Sequence, residues 1–84
     1  MSIREVFARN LRKFRQSAKL SQEELAHRAQ IDRTYISALE RCVYAATIDV
    51  VDRLATVLGD QASDLLARPS TAREKRGANA RRER

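Results

Sequence analysis

Several features are scarce in this 84-residue chain. It has no tryptophan, one cysteine, one proline and two glycines, and aromatics make up 5% of it. The single cysteine, Cys42, excludes an internal disulfide framework and fits a reducing compartment. One histidine, one thiol, no Gly-rich phosphate loop and no acidic cluster beside a nucleophile together argue against an enzyme. His27 has no second ligand at metal spacing, so no metal or other cofactor is expected. β-branched residues never alternate over a strand-length run, and no apolar run approaches the ~18 residues of a membrane span. Arg4 and Glu5 are followed by no apolar segment of signal-peptide type. These absences lead to the expectation of a soluble, cytoplasmic, all-α protein that uses no membrane and no small-molecule ligand.

Net charge is +6, and it is unevenly placed. Residues 68–84 hold seven bases against two acids, whereas residues 1–67 hold ten against nine. The division predicted is therefore a nearly neutral domain over 1–67 and a basic, disordered tail over 68–84, with Pro69 at the edge. Such a tail adds salt-sensitive attraction to a polyanion, or serves only solubility. A single domain of this length buries only about 60% of its extended surface, so the core has to be simple.

The helices follow from periodicity. Ile3, Phe7, Leu11 and Phe14 recur at four, four and three residues, with Val6 and Ala18 beside them, which predicts an amphipathic helix from Ser2 to about Ala18. Ser21 with Glu24 three residues on is a capping box, opening a second helix whose inner face is Leu25, Ala26 and Ala29. Asp32 suits an N-cap for a third, Arg33 to Arg41, turned inward by Ile36 and Leu39. Thr47 caps a fourth, Ile48 to Leu58, which Gly59 ends. Ile48, Val51, Ala55 and Leu58 form one of its stripes; Val50, Leu54 and Val57 form another. Asp60 is expected to cap a last short helix, Gln61 to Ala67, carrying Leu65 and Leu66.

Function is read from the third helix. Arg33, Thr34, Ser37, Ala38 and Arg41 fall at i, i+1, i+4, i+5 and i+8, one stripe opposite the core. An ordinary solvent face carries Glu and Lys. This one offers an Arg fork, two hydroxyls and a methyl, groups that read guanine O6/N7, phosphate and thymine methyl edges. Gln22 falls in the first turn of the second helix, where orphan N–H groups favour a phosphate. The Tyr35 hydroxyl lies beside the stripe, within reach of a backbone phosphate. Tyr44 belongs to an uncharged loop and either contacts the DNA backbone or packs over the core.

The run Leu11-Arg12-Lys13, Leu20-Ser21-Gln22-Glu23-Glu24-Leu25-Ala26 and Asp32-Arg33-Thr34-Tyr35-Ile36-Ser37-Ala38-Leu39-Glu40-Arg41 resembles the lambda-repressor-like, Cro-type (XRE) helix-turn-helix family. Its Asp-Arg-Thr-Tyr-Ile-Ser segment is similar to that of restriction–modification controller proteins. The resemblance covers Asn10 to Leu66. It implies a five-helix domain binding double-stranded DNA as a homodimer, with base reading by Arg33, Thr34, Ser37 and Ala38. It implies phosphate contact by Gln22, and the positions of Tyr35, Arg41 and Tyr44 add these three as expected phosphate contacts. Arg15 and Glu40 match a structural ion pair of the family. The last helix is the family's usual dimer element, so Leu65, Leu66 and Ala62, with Val57 of the fourth helix, are expected at the two-fold interface; core packing is the alternative for the same residues.

Two positions depart from the family pattern. Gln30 stands where a turn glycine is usual, and a non-Gly residue held left-handed costs roughly 1 kcal/mol. Cys42 stands where glycine usually follows the Glu-Arg pair; it is either a small helix-end residue or a redox-sensitive thiol. The functions to weigh are a sequence-specific transcription regulator acting on a roughly palindromic operator, and a protein-interaction module, an antitoxin or anti-regulator on the same fold, suggested by the apolar fourth and fifth helices.

Overall fold

The computed structural model describes residues 1–68. They form five helices: α1 (Ile3–Ser17), α2 (Gln22–Ala29), α3 (Arg33–Glu40), α4 (Ile48–Leu58) and α5 (Ala62–Leu65). No strand occurs among the described residues. The expectations placed on the tail beyond Arg68 fall outside them.

Each start is fixed by a side-chain cap. The Ser21 hydroxyl accepts the Glu24 N–H at 2.9 Å, and the Glu24 carboxylate accepts the Ser21 N–H at 2.9 Å, the reciprocal pair expected. A second such box, not anticipated, joins Ser2 and Glu5 at the head of α1. Asp32 accepts the Thr34 N–H at 2.8 Å and Thr47 the Val50 N–H at 3.1 Å. The last helix is capped one residue later than expected: Asp64 reaches back to the Gln61 N–H, while the Asp60 N–H closes α4 on Ala55 O.

The ends share one device. Lys19, Gln30 and Cys42 all take left-handed backbone, at φ 60°, 59° and 62°, as does Gly59 at φ 78°. The following N–H in each case returns to the last helical turn, Leu20 to Arg15 O, Ile31 to Ala26 O, Val43 to Ala38 O and Asp60 to Ala55 O, all at 2.9–3.1 Å. This is the Schellman closure, repeated four times. Glycine occupies it once, so three joints hold a side chain where the left-handed well is unfavourable. The device ends α3 at Glu40, with Arg41 as its C-cap instead of its last helical residue.

Helix α1 packs on α3 and α5, α2 on α3 and α4, and α4 on α5. Between them lies a core that includes Phe7, Leu11, Leu20, Leu25, Ile36, Leu39, Val51, Leu54 and Leu65. The alanines Ala26, Ala29 and Ala55 are also buried, and their small side chains let α2 approach its neighbours closely. Two expected core positions are exposed: Ile48 is 83% accessible and Ile3 47%. Both are first residues of their helices, N-terminal to the level at which the stripe meets another element.

Leu65, expected at a dimer surface, is fully buried inside the protomer. Helix α5 is a single turn too short to present an independent face, and Asn10 fastens it to α1. The Asn10 side-chain amide donates to Leu65 O at 2.9 Å and Ala67 O at 2.8 Å, using carbonyls that the helix end leaves unpaired. Sequence spacing held the clue, since Asn10 sits between Phe7 and Phe14 on the inner stripe of α1, where a polar residue needs a partner. Leu66, Ala62 and Val57 remain half-buried at the edge of the core.

Candidate nucleic-acid interface

Helices α2 and α3 meet through the Gln30 turn, and their polar edges are held together by one buried carboxylate. Glu40 is 6% exposed, the charged residue of the core. Its Oε2 accepts Arg15 Nε at 2.6 Å and its Oε1 accepts Arg15 Nη2 at 3.0 Å, a fork on a fork. Arg15 Nη1 also donates to Leu20 O at 2.9 Å, tying the guanidinium to the turn before α2. The hydrogen bonds it donates to Glu40 hold the Arg15 pKa above its ordinary value, outweighing desolvation. The expected interhelical pair between α1 and α3 is present.

The same carboxylate holds Gln22. Its amide donates to Glu40 Oε1 at 3.1 Å, so the first residue of α2 is braced against the last residue of α3. Gln22 therefore is not a free arm at the helix terminus. Its position is fixed, and its second amide N–H and the first-turn N–H groups that the Ser21 cap does not use stay available to a phosphate.

Along α3, Arg33 and Thr34 are exposed and Ser37 is half-buried. The Thr34 hydroxyl donates to Asp32 Oδ1, which leaves the oxygen able only to accept from a further partner. With the Thr34 hydroxyl and backbone N–H both on it, the Asp32 carboxyl is held below the usual carboxylate range. Arg41, exposed at the C-cap, donates from Nε to Ser37 Oγ at 3.3 Å, so it lies back along the stripe.

Ala38 does not belong to this edge. It is 4% exposed, so its methyl is closed to a base. The turn after α3 folds back over this position: Cys42 is left-handed and the Val43 N–H bonds Ala38 O. A helical wheel places Ala38 outward because it takes no account of the chain that follows.

Tyr35 also differs from the reading of a hydroxyl free for phosphate. Tyr35 is half-buried, and its hydroxyl donates to Ala45 O at 3.3 Å. Its ring lies 6.2 Å from that of Tyr44 at 38°, a tilted aromatic pair. Together they order the α3–α4 loop. Tyr44, 58% exposed, keeps an accessible hydroxyl; Tyr35 donates its proton inward and can only accept.

Residues 11–60 match the family model HTH_3, helix-turn-helix. The chain is 42% identical over 67 residues to the hypothetical transcription factor of Neisseria meningitidis serogroup B, a match covering 80% of this chain and 63% of that one. It thus spans less than two thirds of that relative. It is 38% identical over 66 residues to the control protein C.BamHI of Bacillus amyloliquefaciens, covering 77% of this chain and 82% of that one. The crystal structure of the transcription factor NHTF from Neisseria superposes with a TM-score of 0.79 at 41% identity, over 81% of this chain and 78% of that one. The family model covers both helices of the interface and the joint between them, and the chain belongs to the XRE-type helix-turn-helix family HTH_3.

Proposed function

We propose that the protein is a sequence-specific regulator of transcription that binds double-stranded DNA as a homodimer on a roughly palindromic operator. The observation that carries this reading is the edge of exposed Arg33 and Thr34 with half-buried Ser37 on α3, alongside the braced N-terminus of α2. In the helix-turn-helix mode, α3 enters the major groove and two copies reach successive grooves about 34 Å apart. Arg33 supplies most of the base discrimination through its fork, with Thr34 and Ser37 as shorter-range readers. The α2 terminus at Gln22, the Tyr44 hydroxyl and the Arg41 guanidinium contact phosphates and set register. The transcription-factor and control-protein relatives support the same assignment.

For the two-fold interface, the half-buried Leu66, Ala62 and Val57 are the candidates, with Leu65 acting as core beneath them. Selection of duplexes from a random pool, followed by sequencing, tests the reading by returning two related half-sites. Arg33→Ala then loses about 1–3 kcal/mol on the selected site and relaxes preference at one base pair. Equal loss on selected and random duplexes rejects the base-reading role.

A further inference from the structure

Between α1 and the end of α3 lies a cleft of about 260 Å³ that the base-reading edge does not use. Arg9, Arg12, Arg41 and Cys42 line it, with Ala8 giving it depth and the Glu40 carboxylate at its inner wall. Arg9 and Arg12 are three apart on one face of α1, so both guanidiniums reach the same space.

The charges there are not balanced. Glu40 is already taken by Arg15 and Gln22. Arg12 stands only at its margin, Nε to Oε1 at 3.9 Å, with 56% of its side chain exposed. Among the described residues, Arg9 has no ion-pair or hydrogen-bond partner. Glu5 also borders the cleft, and its carboxylate accepts the Ser2 N–H in the cap of α1. Three arginines at the rim, plus Arg15 behind, face two carboxylates, a surplus of two positive charges.

The cleft is continuous with the interface. Arg41 lines it while donating to Ser37 of the recognition edge, and Glu40 links Arg12 to Gln22 at the head of α2. The geometry points to a phosphate-binding cleft in which Arg9, Arg12 and Arg41 grip one backbone phosphate of the duplex, outside the base pairs read by α3. This rests on the DNA-binding reading above and adds α1 as a second clamp, turning the Glu40 cluster into a bracket between two phosphate contacts. A competing role exists for the arginines, since cations near a helix C-terminus favour it through its dipole. That role affects folding stability and leaves the salt dependence of DNA binding unchanged.

The test uses the full chain and a duplex chosen by selection from a random pool, with affinity measured between 50 and 200 mM KCl. One phosphate released lowers the slope of log K against log salt by about 0.9, so Arg9→Gln/Arg12→Gln weakens about 3.5-fold less than the parent across that fourfold salt range. The loss at low salt is the same factor on selected and random duplexes. Cys42, the only thiol of the chain, reports occupancy independently: bound duplex slows its alkylation by iodoacetamide several-fold in the parent and less in the variant. Arg9→Gln alone, which removes no observed bond, repeats the measurement should the double variant fold poorly. A slope unchanged in the variants, with the parent binding its selected duplex, overturns the cleft and leaves the regulator reading intact. A parent that selects no duplex overturns both.

Discussion

Arg15 on α1 and Glu40 on α3 form a forked ion pair across 25 residues of chain, with the carboxylate side chain 1% exposed and the guanidinium side chain 13% exposed. The pair is less a source of stability than a constraint. Burying two charges costs as much as their attraction returns, whereas removing one partner strands the other. Here removal of Glu40 would also release Gln22 and loosen the angle between α2 and α3.

Glu40→Ala is therefore expected to lower unfolding free energy by about 3–5 kcal/mol, much of the stability of a domain this small. Arg15→Met/Glu40→Met recovers most of that loss, because no charge is left unpaired. Urea denaturation of the parent, single and double variants checks both statements. DNA affinity separates them further: the double variant folds but binds poorly, since Gln22 has lost its brace.

A second prediction concerns acid. The Asp32 carboxyl is lowered by the Thr34 hydroxyl and N–H, and that of Glu24 chiefly by the Ser21 N–H. A carboxyl lowered in the folded state contributes stability that is fully present above its unfolded value of about 4. That contribution is lost as pH falls through the lower folded value. Urea midpoints are expected to hold from pH 7 to 5 and to decline below about pH 4. Asp32→Asn keeps a cap but removes the titration, and it flattens part of the decline; an unaltered acid limb would count against the assignment.

Much of the fold is legible in the chain because its signals are local. The Ser21–Glu24 box, Asp32, Thr47 and Gly59 each act within one turn, and each marks the boundary it suggests. The positions that misled depend on what lies outside the helix. Ala38 is buried by the surrounding fold, the backbone at Leu65 is tied to α1 by Asn10, and Ile48 precedes the level at which α4 meets the core. The candidate site divides in the same way. Arg33 and Thr34 are recognisable from a stripe, but the Arg9–Arg12–Arg41 cleft needs two helices at a known distance, which no periodicity supplies.

The inward position of Leu65 makes a third prediction. Leu65→Ala is expected to cost about 2–5 kcal/mol by opening a cavity between α1, α4 and α5. The cost is independent of protein concentration, because the side chain belongs to one protomer. Val57→Asp and Leu66→Asp act differently: at the proposed two-fold surface they lower the dimer fraction in sedimentation more than they lower monomer stability. A concentration-dependent loss for Leu65→Ala would return that residue to the interface.

The last prediction concerns the joint at the centre of the interface. Gln30 holds φ 59° and ψ 46° to close α2, and the next N–H completes the turn on Ala26 O. For a residue with a Cβ this conformation costs about 1 kcal/mol, a cost glycine avoids. Gln30→Gly is expected to raise stability by about 0.5–1 kcal/mol, the gain trimmed by the freer unfolded chain. Gln30→Val lowers it, since a β-branched side chain tolerates the left-handed well least. The angle between α2 and α3 is set by backbone bonds that all three residues can make, so DNA specificity should be unchanged in Gln30→Gly while the urea midpoint rises. Cys42→Gly at the end of α3 repeats the same gain through the same geometry. Equal stability of glycine, glutamine and valine at position 30 would mean that the turn is not left-handed in solution.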